Sequence, residues 1–279
     1  MTIVIDLGGT TTRVGFSTST NSFDNIIRFD TPDSLANLKQ RLADHLANTN
    51  ADTISMGIAG IVNHQSLNIL QSPNIPYLNG IKCTDLLPPT NAELYLNNDT
   101  ELAALGEYYF GAGQNSTVMA YITLSTGVGG SRVINGNLDP ASLNYEPGHM
   151  IINKAGTETE KSGLKGTFEA YNSGPSFQKL YGTLPQETED TTIWLEYSHN
   201  LAYGLANVTL MWACDVIVLG GGLSESLSIY PKHFLSNTGS QMEKIMPMGY
   251  PKPELRISTL KDTNGLLGGL KRTTGLRKS

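Results

Sequence analysis

Residues 5–15 read IDLGGTTTRVG, an apolar strand that runs through Asp6 into a glycine pair and resumes after three threonines as a second strand. Glycine at positions 8 and 9 lets the backbone turn where a Cβ would clash, and leaves N–H groups to face an anion. Thr10 completes the turn. Asp6, near the strand end, suits the holding of a water of a magnesium ion that rides with nucleotide phosphates, because magnesium keeps much of its hydration shell. An Asp-x-Gly-Gly string also makes an ordinary tight turn, so the reading depends on partner motifs further along the chain.

The chain has 279 residues, more than a usual single domain, and two lobes with a cleft between them are expected, over 1–114 and 115–279. A hydrophobic fraction of 39% with 16% charged residues is that of a globular protein, and no stretch approaches the roughly 18 apolar residues that cross a bilayer. No basic leader with a long apolar region follows Met1, so a cytoplasmic protein without a membrane span is expected. A net charge of −6 argues against a general nucleic-acid surface, which needs clustered Lys and Arg. The basic cluster KRTTGLRKS at 271–279 reads as a solvated tail. Cys83 and Cys214 stand in unrelated motifs and imply neither a disulfide framework nor a zinc knuckle; both should be reduced, with Cys214 in a core.

Strands are expected near 2–7, 11–18 and 24–30, then a helix over 33–48 announced by Thr31-Pro32-Asp33 and carrying Leu35, Leu38, Leu42 and Leu46 at helical spacing. A strand follows at 53–59. The prolines of SPNIPYLNG at 72–80 make a stiff loop that stays out of a sheet. ELYLNND at 93–99 reads as a strand ending at an acid, feeding the helix TELAALGEYYFGAG. TVMAYITL at 117–124 suits a strand covered on both faces, and LSTGVGGSRVING repeats the logic of the first hairpin as an internal echo. A helix over 188–212 places Ile193, Tyr197, Leu201, Leu205, Val208 and Trp212 on one stripe, and leads to the strand VIVLGGG at 216–222. This alternation indicates α/β layers with sites at strand carboxyl ends.

Asp99 has two readings. A carboxylate at a strand end can accept the proton of a hydroxyl attacking a γ-phosphate, and an aspartate in NNDTE can also merely cap the following helix. Neither glycine hairpin ends in Gly-Lys-Ser/Thr, so charge neutralisation would fall to magnesium and backbone dipoles more than to a lysine. Gly220, Gly221 and Gly222 read equally as a helix-entry turn or as a turn that lets a flat base approach the backbone.

NNDTELAALGE at 97–107, ITLSTGVGG at 122–130, YEPGH at 145–149 and VIVLGGG at 216–222, in this order after the first hairpin, resemble the ROK family of sugar kinases and sugar-responsive repressors, within the actin-like ATPase superfamily. The resemblance runs from residue 3 to about 270. It implies an α/β, two-lobed, ribonuclease H-like fold and a kinase that phosphorylates the 6-hydroxyl of a hexose or N-acetylhexosamine, glucose or N-acetylmannosamine being favoured. Asp99 would be the catalytic base. Asn98, Glu146, His149 and Glu169 would contact the sugar with Asp99, and Asn74 in the stiff loop would join them. ATP with Mg2+ would lie on Asp6, Gly8, Gly9 and Thr10, on Thr126, Gly127, Gly129 and Gly130, and on the adenosine turn Gly220–Gly222. A homodimer through the second lobe is implied as well.

The chain departs from the family at one place. Many ROK proteins carry a Cys-x-Cys-Gly-x-x-Gly-Cys-x-Glu string that binds zinc with the histidine of Glu-x-Gly-His, whereas EKSGLKGTFE at 160–169 shows Glu160, Ser162 and Thr167 at the cysteine positions. Hydroxyls are poor zinc ligands, so no zinc is expected and His149 is released from metal duty. Ser125 and Ser131 stand where the family commonly has glycines. Two rivals are a family repressor, for which no N-terminal winged helix is expected here, and a catalytically weak sugar-binding protein.

Overall fold

The computed structural model describes residues 1–47, 49–139, 143–229 and 233–274. The chain divides into two compact units: Met1–Tyr109 with Pro140–Asn144 and Thr263–Ser279, and Phe110–Asp139 with Tyr145–Asp262. This differs from the expected division at 114, because the C-terminal helix joins the first unit. Residues 275–279 of the basic cluster lie outside the described residues.

In the first unit, β1 (Thr2–Leu7), β2 (Thr11–Ser17) and β3 (Asn25–Asp30) form an antiparallel meander. After α1 (Leu35–Leu46), β4 (Thr53–Ile58) pairs parallel to β1. A short hairpin of β5 (Ile61–Asn63) and β6 (Asn68–Gln71), beyond the expected strands, precedes β7 (Glu93–Asn98), parallel to β4, and α2 (Asp99–Phe110). Strand order is β3-β2-β1-β4-β7. Strand alternation serves both faces of β1: Ile3, Ile5 and Leu7 pack with Leu38, Leu42 and Leu46 of α1, while Val4 packs with Leu266 and Leu270 of the C-terminal helix. Each such side chain taken out of water contributes about 1.5–3 kcal/mol. Helix α1 starts later than expected. Its cap is Ser34, whose hydroxyl accepts from the Asn37 N–H, so Pro32 lies ahead of the helix.

The second unit repeats the plan. β8 (Val118–Leu124) and β9 (Val128–Ile134) make the glycine hairpin, and β10 (Asn137–Leu138) extends it. After α3 (Phe168–Asn172), α4 (Gly174–Tyr181) and α5 (Thr191–Trp212) comes β11 (Val216–Gly220), parallel to β8. α6 (Gly222–Ile229), α7 (Phe234–Ile245) and β12 (Glu254–Ile257) follow, giving the order β10-β9-β8-β11-β12. The expected stripe of α5 is buried at Tyr197, Leu201, Leu205, Val208 and Trp212, in one cluster with Ile122, Leu124, Ile217 and Leu219; Ile193 packs at its edge. Cys214 sits in that cluster and Cys83 in the first unit's core, and burial pushes both thiols up to about 11.

The last helix, α8 (Asn264–Thr274), lies against α2 through glycines. A Cβ on Gly268 would stand 1.7 Å from the Leu102 carbonyl oxygen, and one on Gly106 would stand 2.2 Å from that of Asn264. Backbone, unlike a side-chain tip, cannot swing away. Gly268→Ala is therefore expected to lose about 3 kcal/mol of stability despite alanine's better helix propensity. Urea denaturation checks this, and an unchanged midpoint would contradict the packing described.

Candidate active site

Strands β1, β4 and β7 run parallel, so their carboxyl ends share one edge of the first sheet, and the register aligns Asp6 with Gly57 and Gly57 with Asn97. At that edge the β1–β2 turn is closed by the Gly8 N–H on the Thr11 carbonyl at 3.1 Å and by the Thr31 hydroxyl on the Gly8 carbonyl at 2.6 Å. Gly9 and Thr10 form its exposed tip. A Cβ on Gly9 would lie 2.8 Å from Cβ of Asn74, so the stiff loop and the hairpin tip meet. Arg13 donates to Asp6 Oδ2 at 3.0 Å, and a hydrated cation here would share that carboxylate with a guanidinium.

The residues around Asp99 divide the work. Asn98 caps α2: its Oδ1 accepts from the Thr100 N–H at 2.7 Å and from the Thr100 hydroxyl. Glu101 completes the box by accepting the Asn98 N–H at 3.1 Å. Asp99 Oδ1 accepts from the neighbouring Thr100 N–H at 2.9 Å. The Asn98 amide donates to the Gly60 carbonyl at 2.7 Å, which leaves one of its two N–H groups for a ligand.

Glu101, which no motif in the sequence marks as a site residue, gathers a wider network. Its carboxylate also accepts from Asn97 Nδ2 and Asn144 Nδ2, each at 2.9 Å, and lies 3.4 Å from His64 Nε2. His64 Nδ1 is 2.8 Å from the Leu96 carbonyl. Asn97 in turn accepts from Arg272 Nε at 3.2 Å. Burial would raise the Glu101 carboxyl, but His64, Asn97 and the Asn98 N–H outweigh it and hold it low. The hydrogen bond to Glu101 raises His64, against burial.

In the second unit the turn after β8 and the turn after β11 share the other sheet's carboxyl edge. Gly221 has φ +85°, and a Cβ there would strike the Leu124 carbonyl at 2.5 Å. α6 begins at Gly222, where a Cβ would meet nothing within 4 Å, so backbone and open space adjoin as a bound base or phosphate requires. Thr126 is the exposed tip of the other turn. Glu169 joins that turn, accepting the Val128 N–H at 2.9 Å and leaving 2.7 Å between its Oε2 and a Cβ on Gly127. Gly129 and Gly130 lie in β9, where a Cβ on Gly130 would press on Ile122 and Pro147. Pro147 precedes His149, and His149 Nδ1 lies 2.8 Å from Glu160 Oε1. Burial opposes charge on His149, yet Glu160, Glu146 and Glu169 raise its pKa. Burial also raises Glu146 and Glu169, each opposed by His149.

Structure thus gathers Asp6, Gly8, Gly9 and Thr10 with Asn74, Asn98 and Asp99 in the first unit. The second gathers Glu146, His149, Glu169 and the turns at 126–130 and 220–222. Among the described residues no group of three or more His, Cys, Asp or Glu side chains is disposed to hold a metal ion, and no helix is long and apolar enough to cross a membrane.

The His64–Glu101 pair sets a pH dependence. His64, raised when folded, stabilises below its ordinary 6.5 and loses that contribution as pH rises through its folded value. Glu101, lowered when folded, stabilises above its ordinary 4.5 and loses that as pH falls. Stability is expected to decline above pH 6.5 by a component that His64→Gln abolishes. Parallel urea-denaturation curves for the two proteins at pH 5.5, 7 and 8.5 would contradict it.

The chain is 25% identical over 313 residues to a glucokinase of Halalkalibacterium halodurans, covering 95% of this chain and 92% of the relative. It is 28% identical over 253 residues to an N-acetylgalactosamine kinase of a Shewanella species, covering 79% and 81%. The crystal structure of a ROK hexokinase from Thermus thermophilus superposes with a TM-score of 0.82 at 24% identity, over 100% of this chain and 99% of that one, which shows the shared fold. The ROK family model matches residues 2–271, and the chain belongs to the ROK family.

Proposed function

We propose that this protein is a sugar kinase that transfers the γ-phosphate of ATP to the 6-hydroxyl of a hexose or N-acetylhexosamine, with glucose or N-acetylmannosamine favoured. Kinases of glucose and of N-acetylgalactosamine among its relatives support the class. The observation that carries the reading is the division of labour at the head of α2. Asn98 and Glu101 form the capping box there, and Asp99 Oδ1 shares only the Thr100 N–H with Asn98, which supports the reading of Asp99 as the base rather than the cap.

Asp99 accepts the proton of the sugar hydroxyl as its oxygen bonds to phosphorus and the bond to the ADP oxygen breaks. Asn98, Asn74, Glu146, His149 and Glu169 bind and orient the sugar hydroxyls. The turns at Gly8–Thr10 and Thr126–Gly130 hold phosphates through backbone N–H groups, and Gly220–Gly222 takes the adenosine. Mg2+ carried by ATP near Asp6 would supply charge neutralisation that no P-loop lysine provides. The exposed apolar residues Leu195, Tyr203, Leu210 and Met211 of α5 support a homodimer, which sedimentation showing only monomer would rule out.

A second reading, a ROK-type sugar-binding or regulatory protein of weak turnover, is favoured by the Arg13 contact on Asp6. ADP release measured with a panel of hexoses separates the two. Asp99→Asn is expected to cut turnover by about 10²–10⁴-fold while sugar binding and fold persist. An undiminished rate in the variant would end the assignment of Asp99, and no release from the wild type with any sugar would favour the binding protein.

A further inference from the structure

The loop at 158–167 folds back on itself. Thr159 pairs with Lys165, the Gly163 N–H donates to the Glu160 carbonyl, and the Glu160 N–H donates to the Leu164 carbonyl, both at 3.0 Å. This fold turns three donors onto one carboxylate. Ser162 Oγ donates to Glu160 Oε1 at 2.5 Å, Thr167 Oγ1 to Oε2 at 2.7 Å, and His149 Nδ1 lies 2.8 Å from Oε1. The Glu160 side chain is 0% exposed, whereas that of His149 is 43% exposed. A carboxylate is buried so completely only where its lone pairs are met, and here three side chains meet them.

Two further links leave this node. The Thr167 hydroxyl also accepts the Ala170 N–H at 3.1 Å and so caps α3, the helix that presents Glu169. An imidazole gripped at Nδ1 keeps Nε2 at the other edge of its ring, and of this pair His149 is the exposed member. Glu160, Ser162 and Thr167 occupy the positions where the resemblance places thiolate ligands of a metal, and the carboxylate of Glu160 lies where their hydroxyls and His149 converge.

We propose that Glu160 is a positioning residue: its buried carboxylate serves as a metal-free node that fixes His149, with Nε2 outward for a substrate hydroxyl, and anchors the start of the helix bearing Glu169. The part concerning substrate rests on the sugar-kinase reading. The node itself does not.

The test uses Glu160→Gln, which keeps volume and one acceptor, with His149→Ala and the double variant. Losing one oriented hydrogen bond should raise the sugar KM about five- to tenfold in Glu160→Gln with kcat within about twofold and the ATP KM unmoved. The double variant should be no worse than His149→Ala alone. Long-range 1H–15N spectra should show the His149 ring nitrogens shifted in Glu160→Gln, and a zinc chelator should leave wild-type rate and melting temperature unchanged. An unmoved sugar KM, multiplying effects in the double variant, an unchanged His149 ring spectrum, or activity lost to the chelator and restored by zinc would each overturn the proposal. If no sugar supports turnover in the wild type, the kinase reading fails while the ring spectrum still decides the node: shifted nitrogens uphold the link between Glu160 and His149, and unshifted ones refute it.

Discussion

The carboxylate of Glu101 is the constraint on which the first unit's chemistry depends. It accepts from Asn97, from the Asn98 N–H and from Asn144, and it stands beside His64, so three separate segments of chain meet at one side chain. Removing it would strand several donors in a mostly buried place, a far larger loss than one hydrogen bond. The consequence reaches Asp99. Its backbone lies between Asn98, tied to the Gly60 carbonyl, and Glu101, tied to Asn97, Asn98 and Asn144, so the main chain that carries it is held on both sides.

The second unit solves the same problem with a different carboxylate. Each sheet begins with an antiparallel glycine hairpin and adds parallel strands on one side, and each collects its turns at the carboxyl edge because parallel strands all end there. In the first unit the supporting acid is on the helix that follows the edge; in the second, Glu160 lies in a loop and reaches the next helix through Thr167. Both acids are low-lying carboxylates opposite a raised imidazole, His64 in one case and His149 in the other. Burial works against the charge in each pair, and hydrogen bonds decide the outcome.

Much of this was legible in the chain. Strand–turn–strand patterns at 5–15 and 122–134, the acid after ELYLNN and the stripe of α5 each follow from periodicity and glycine placement, and local signals of that kind survive folding because burial reinforces them. Pro32 suggests a helix start at 33, yet α1 begins two residues later, at Leu35, because the Ser34 hydroxyl does the capping. The hairpin at 61–71 has no clear alternation to announce it, and within it only Val62 and Ile69 are fully buried. Glu101 had a readable signal, since Asn-x-x-Glu is a capping box, yet its bonds to His64 and Asn144 join positions far apart in sequence and no local pattern announces them. The return of α8 to the first unit is likewise a long-range fact. Its glycines are visible in the sequence, but the approach of Gly268 to the Leu102 carbonyl and of Gly106 in α2 to that of Asn264 is not.

The central claim is that Asp99 takes the proton of the sugar's 6-hydroxyl. A crystal structure of the complex with glucose or N-acetylmannosamine and a non-hydrolysable ATP analogue tests it most directly. The account predicts the 6-hydroxyl oxygen within about 2.6–3.2 Å of a carboxylate oxygen of Asp99. A bound sugar whose 6-hydroxyl is held by other groups, with Asp99 out of hydrogen-bond reach, would contradict it.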